Sequence, residues 1–290
     1  MDKVKKELPP DPGDTSEVEL LSKVQYTNIV KMYGMWLDPY KDRAAPSIVM
    51  ELCDESLRDF IRRFRGKIVP KEKKLQILQD IAKGIVYLHG LNIVHGDLRS
   101  SNVLLCHPED RTVAKIADFD MARFLDIDGQ HHFTVRFTAE EYLPPEVFDH
   151  KEHKDQKKKW ARLTPKVDVF CFGELVLEMG CGTYPTPTAK FQGQEMQTEQ
   201  QRREKYLVKL KQSDKESLGS IIRKCLTDDP EGRPSFTEIL LEVEGYLHMY
   251  GERPDFEMLQ DKTVSNYHNY TVFLGVLHCR QATLLCIPVH

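Results

Sequence analysis

An excess of charge of either sign is missing from this chain. Its 290 residues carry 41 Lys and Arg against 45 Asp and Glu, a formal net charge of −4. That balance gives no electrostatic reason to expect nucleic acid or an acidic membrane as a partner. Cysteine is scattered: Cys53, Cys106, Cys171, Cys181, Cys225, Cys279 and Cys286 show no paired metal-ligand spacing. Most lie in apolar runs, which predicts buried reduced thiols and a cytoplasmic protein. The opening MDKVKKELPP has no apolar segment and so cannot be a secretory signal. Long apolar runs are also missing. The stretch from Thr271 to Val289 is interrupted by His278, Arg280 and Gln281, and an arginine buried in lipid excludes a membrane span there. No internal repeat is visible. The 40% apolar and 30% charged fractions fit a globular protein, with length for one large domain or two small ones.

What is present centres on Ile93 to Ala122, IVHGDLRSSNVLLCHPEDRTVAKIADFDMA. Val103 to Leu105 and Val113 to Ala117 are apolar runs joined by a polar turn at Pro108, Glu109 and Asp110, which predicts a β-hairpin. Asp97, Asn102 and Asp118 flank it. Two acids and an amide brought to one end of a hairpin suit Mg²⁺, which prefers hard oxygen ligands. Singly, each would be an ordinary turn or cap residue. Their shared order and spacing carries the signal: His95-x-Asp97-Leu98-x-x-x-Asn102, then Asp118-Phe119, resembles the catalytic loop and metal-binding motif of the protein kinases.

Elsewhere, Val18, Leu21 and Val24 recur at helical spacing after possible caps at Asp14, Thr15 or Ser16. Ile29 to Trp36 and Ser47 to Leu52 read as strands, and Leu57 to Phe64 as a short helix. Leu75, Leu78, Ala82, Ile85 and Leu88 mark a long amphipathic helix ending near Gly90. Residues 124–143 show no period, and Lys151 to Lys159 is a basic run read as a solvated insert. Val167 to Met179 is apolar nearly all round and belongs in a core. Further helices are expected at Glu195–Leu210, Leu218–Leu226 and Ser235–Met249.

The resemblance extends over roughly Ser16 to Tyr250. Asp168, in an otherwise apolar helix, matches the kinase aspartate that holds the catalytic loop through its backbone amides; a helix-start cap after Thr164-Pro165 is its alternative role. Tyr142 to Glu146 looks like the end of an activation segment, and Cys225 to Ser235 like the late segment whose arginine pairs with it, which predicts a Glu146–Arg233 ion pair. Ile48 to Cys53 resembles the last small-lobe strand and hinge. The resemblance then makes Met50 the gatekeeper, the backbone of Glu51 and Cys53 the contacts to adenine, and Leu104 the floor beneath the base. Glu17, thirteen residues before Val30, is placed as the helix glutamate. Asp97 is implied as the base, with Asn102 and Asp118 on Mg²⁺. Arg99-Ser100-Ser101 is similar to the tyrosine-kinase-like group of Ser/Thr kinases.

The chain also departs from the pattern. Gly13 is its first glycine, so no Gly-rich loop precedes Glu17. Lys6 is the best lysine to pair with that glutamate, but it reads as a solvated terminal residue. Gly96 stands in place of Arg, which removes a phosphate partner for Thr134 or Thr138. Asp120 stands in place of Gly. The expectation is therefore an α+β, bilobal kinase-like fold: a disordered or vestigial lead-in at 1–13, an incomplete β-rich small lobe at 14–52, an α-helical large lobe at 53–250, and an unassigned tail at 251–290. ATP, Mg²⁺ and a protein substrate or signalling partner are implied. The expected reaction is weak phosphoryl transfer to Ser/Thr, or to Tyr. The alternatives are a pseudokinase scaffold or allosteric module, and a partial product of a complete kinase.

Overall fold

The computed structural model describes residues 3–7, 16–36, 47–64, 69–107, 111–126, 131–134, 144–148, 160–182, 190–191, 194–195 and 199–249. The small sheet is built from β1 (Lys3–Glu7), β2 (Met32–Trp36) and β3 (Ser47–Glu51), in the order β1-β3-β2 and antiparallel throughout. β1 corrects the expected lead-in. Lys-Val-Lys-Lys-Glu has little strand character of its own, but the backbone donors and acceptors along β3 pair with it from Lys3↔Glu51 to Glu7↔Ser47. Tertiary pairing here overrides local propensity. Lys6, read as a terminal solvated residue, stands opposite Ile48 in the ladder.

Helix α1 (Ser16–Lys23) follows β1. Leu20, Leu21 and Val24 are buried and Val18 is partly so, the stripe its periodicity predicts. The expected strand at Ile29 is shortened. Ile29 instead bridges to Ile116 in parallel, and the backbone exchanges Val30 N–H to Ile116 O (2.8 Å) and Ile116 N–H to Asn28 O (2.9 Å). This seam ties the first part of the chain to the central hairpin.

The remainder is mainly helical. β4 (Glu55–Ser56) leads into α2 (Leu57–Arg63), capped by Ser56, whose hydroxyl accepts from Asp59 N–H at 3.1 Å. In α3 (Lys71–Gly90) the predicted stripe of Leu75, Leu78, Ala82, Ile85 and Leu88 is fully buried. Each of its leucines and its isoleucine contributes about 1.5–3 kcal/mol by leaving water. The chain then runs through β5 (Ile93–Val94), a 3-10 turn (Ser100–Asn102), β6 (Val103–Cys106), β7 (Val113–Ile116), β8 (Arg123–Phe124) and β9 (His131–Thr134). After a second 3-10 turn (Pro145–Phe148) come β10 (Trp160–Leu163), α4 (Pro165–Cys181), β11 (Lys190–Phe191), β12 (Gln194–Glu195), α5 (Glu199–Lys209), α6 (Gln212–Lys215), α7 (Ser217–Cys225) and α8 (Phe236–Met249). β6 and β7 form the expected hairpin, with β4 on its outer edge. α4 is buried on nearly every side from Val167 to Met179; α7 packs against it, and α8 packs against α3. The aperiodic stretch 124–143 contributes a strand after all, β9, which pairs with β10. The basic run at 151–159 and the tail at 251–290 lie outside the described residues.

The result is an α+β fold of two lobes, a small strand-rich one and a larger helical one. Among the described residues no helix is long and apolar enough to cross a membrane.

Candidate active site

Hairpin β6–β7 collects the site because its two ends lie side by side. The turn before β6 carries Asn102, the segment after β7 carries Asp118, and Ala117 N–H donates to Asn102 O at 2.9 Å. Asn102 is buried and reaches back to Asp97: its Nδ2 donates to Asp97 O (2.9 Å) and Asp97 Oδ2 (2.8 Å), while Ser101 Oγ donates to its Oδ1 (3.1 Å). Arg99 Nε lies 3.2 Å from the same Asp97 Oδ2. Burial pushes the Asp97 carboxyl above the ordinary range; Arg99, His95 and the Asn102 hydrogen bond pull it back, and the charge of Asp118 adds to the rise. Arg99, two residues after Asp97, carries a contact that no motif in the sequence marks.

The loop is held from below. Asp168 is fully buried in the first turn of α4 and accepts three hydrogen bonds: His95 N–H to Oδ2 (2.9 Å), Gly96 N–H to Oδ1 (2.8 Å) and His89 Nε2–H to Oδ2 (2.8 Å). Burial pushes its carboxyl up, but the His89 hydrogen bond and charge, with His95 and the Gly96 amide, outweigh that and leave it below the usual range. Its partners belong to the loop and α3, which favours the anchoring role over a cap on its own helix. His95 is buried as well. Its Nδ1 accepts from Asp97 N–H (3.3 Å) and its Nε2 faces Ala117 O (3.1 Å), so the proton sits on Nε2. Its ring packs edge-on against Phe119, with centroids 5.2 Å apart.

Gly96 has φ +74°, and a Cβ there would stand 2.9 Å from Met121 O. Glycine is therefore the relaxed choice at this position. Asp118 also adopts the left-handed region, with φ 66°, while Asp120 does not. The substitution at 120 thus asks for no unusual backbone, and the residue held in a sparsely populated conformation is Asp118 itself.

Glu17 enters from α1. It is buried, and its Oε1 accepts from Phe119 N–H at 3.2 Å. One carboxylate oxygen each from Glu17, Asp118 and Asp120 lies within 4.8 Å of the others. This hard-oxygen donor set is of the kind Mg²⁺ takes. Met50 is buried in β3, opposite Val4 and Met32. Glu51 turns its carboxylate to Lys31 N–H (2.6 Å) and Lys115 Nζ (3.0 Å), and its own backbone N–H donates to Lys31 O (2.9 Å). Leu104, partly buried, pairs with Ser56 and Lys115 on β6. Cys53 follows at the end of the connector and is joined to Cys106 by a disulfide, with Cα atoms 4.7 Å apart. That corrects the expectation of reduced thiols for these two: they are distant in sequence, and only the folding of the connector onto β6 brings them together. Among the described residues, Cys171, Cys181 and Cys225 form no disulfide.

The expected Glu146–Arg233 pair is present. Arg233 is buried, binds Glu146 through both Nη atoms (Nη2 to Oε2, 3.0 Å), and donates further to Thr227 O, Lys166 O and Asp228 O. Thr138 lies outside the described residues, and Thr134 ends β9.

The model of the protein kinase domain matches residues 3–243. Cysteine-rich receptor-like protein kinase 42 of Arabidopsis thaliana is 34% identical over 58% of this chain and 24% of its own length. Serine/threonine-protein kinase 12 of Arabidopsis thaliana is 28% identical over 83% of this chain and 49% of its own. Probable serine/threonine-protein kinase roco8 of Dictyostelium discoideum is 31% identical over 77% of this chain and 11% of its own. The chain thus spans half or less of the length of these curated relatives.

Proposed function

The chain belongs to the protein kinase family, and from that premise we propose that it binds ATP with Mg²⁺ and transfers the γ-phosphoryl group to a Ser or Thr hydroxyl of a protein. The observation that carries the reading is the Asp97–Asn102–Asp118 constellation, locked to α4 by Asp168. Asp97 is the base. Its described contacts fall on Oδ2, which leaves Oδ1 to accept the proton of a substrate hydroxyl. Burial raises its proton affinity toward that task. Arg99 and Asn102 hold the carboxylate in one orientation. Asn102 and Asp118 would hold Mg²⁺, which neutralises charge on the phosphates when bound. Met50, the backbone of Glu51 and Cys53, and Leu104 form the adenine site in this reading.

We propose that transfer by these 290 residues is slow. They contain no Gly-rich hairpin to donate backbone N–H groups to the phosphates, and Asp120 adds negative charge where those phosphates sit. Gly96 in place of the family's Arg and Asp120 in place of its Gly also favour a second reading, a pseudokinase that serves as a scaffold or allosteric module in signalling. A cytoplasmic location suits either reading.

Calorimetry with ATP, with and without Mg²⁺, tests the first reading. Saturable, metal-dependent binding, followed by phosphoryl transfer that Asp97→Asn abolishes, is the expected result. No binding at millimolar ATP, or equal transfer by Asp97→Asn, overturns it.

A further inference from the structure

After β3 the chain crosses between the lobes through Leu52 and Cys53 and settles on the hairpin. Asp54 N–H donates to Leu105 O (2.9 Å), His107 N–H donates to Asp54 Oδ2 (2.7 Å), and Glu55 and Ser56 pair with Leu105 and Leu104. Cys53 stands one residue ahead of these contacts and Cys106 one residue past Leu105, so their side chains bridge the same seam. Both are partly exposed. The other described cysteines differ. Burial pushes the Cys171 and Cys225 thiols far up and the Cys181 thiol to about 12, which keeps them protonated and unreactive at neutral pH.

We propose that Cys53 and Cys106 form a reversible thiol–disulfide site, whose oxidised form clamps the interlobe connector onto the strand bearing Leu104 and tightens nucleotide binding. The inference rests on the adenine site proposed above. The oxidant is a low-molecular-weight disulfide such as glutathione disulfide. One thiolate of the pair attacks a glutathione sulfur, forming a mixed disulfide and releasing one glutathione thiol. The second thiolate attacks the protein sulfur of that mixed disulfide, closing the Cys53–Cys106 bond and releasing a second glutathione thiol. Two protein thiols have then lost two electrons and two protons, all carried by the two glutathiones.

The direction follows from pre-organisation. Backbone bonds already hold the connector from Asp54 onward, and the disulfide extends that hold to Cys53, whose backbone meets the base. A binding element ordered in advance loses less freedom when its ligand arrives. Buried Cys171 and Cys225 offer no competing route, because the reagent cannot reach them.

The test uses the full chain and its Cys106→Ser variant, equilibrated in reducing and oxidising glutathione buffers. Intact mass and alkylation mapping read the bond, and calorimetry with Mg²⁺ and ATP reads the affinity. Oxidised wild type is expected to lose two hydrogens in mass, to protect Cys53 and Cys106 from alkylation, and to bind ATP about two- to tenfold more tightly than the reduced form. Cys106→Ser is expected to keep the reduced affinity in both buffers. A chain that never forms the intramolecular bond overturns the proposal, and so does a bond that forms while ATP affinity stays equal or weakens. ATP binding that is equal in both states leaves the nucleotide site standing and removes only the clamp. No binding in either state, with the bond formed, removes the nucleotide site and the clamp's effect with it.

Discussion

Replacing Asp168 with alanine removes the acceptor for two buried backbone amides and for His89 at once. The His95 and Gly96 N–H groups lie 2.9 and 2.8 Å from the carboxylate, in a pocket where Asp168 itself has no exposure. Each donor left unsatisfied costs about 1–3 kcal/mol, so a loss of about 3–5 kcal/mol is expected, the range for breaking a buried charged network. Asparagine repairs only part of this, since one of its two ends presents N–H to a donor. Urea unfolding followed by circular dichroism measures the loss, and hydrogen exchange at the His95 and Gly96 amides localises it. The wild type should also depend on pH in a defined way. The Asp168 carboxyl lies below its ordinary range when folded, so its stabilisation is complete above the unfolded carboxylate pKa and disappears as pH falls through the folded value. Asp168→Asn should flatten that acid limb. A loss under about 1 kcal/mol, with exchange at both amides unchanged, would refute the anchoring account.

Gly96→Arg, which restores the usual family residue, should destabilise the chain by about 1–2 kcal/mol or more, because a side chain there must adopt φ +74° against Met121 O; equal or higher stability by chemical denaturation would contradict this. Arg99→Ala removes the charge that lowers the Asp97 carboxyl, so the acidic limb of any phosphoryl-transfer profile should move to higher pH, and an unmoved limb would separate Arg99 from the base. Leu78→Ala in the fully buried stripe of α3 should cost about 2–5 kcal/mol in a denaturant titration. Reducing the Cys53–Cys106 bond releases a loop with a sequence separation of 53 and should lower stability by up to about 4 kcal/mol on the loop-entropy account; identical melting curves with and without reductant would oppose it.

The amino-acid sequence determined the elements whose pattern is local. α3 and α4 follow from apolar spacing, and the β6–β7 hairpin follows from two apolar runs around a polar turn. The order of Asp97, Asn102 and Asp118 points to one chemistry through its resemblance to the catalytic loop and metal-binding motif of the protein kinases. Even the Glu146–Arg233 pair was legible, as each partner sits in a recognisable motif. What tertiary structure alone decided depends on partners far away in the chain. β1 is a strand because β3 lies beside it, since Lys-Val-Lys-Lys-Glu has no such tendency alone. Arg99 reaches Asp97 only through the turn that follows it, and His89 reaches Asp168 only when α3 and α4 pack. Periodicity reports which side of an element leaves water. It carries no information about which donor meets which acceptor, or which thiol meets which, across two packed elements. Those choices are fixed by the approach of surfaces remote in sequence, and the grouping of Glu17 with Asp118 and Asp120 is one of them.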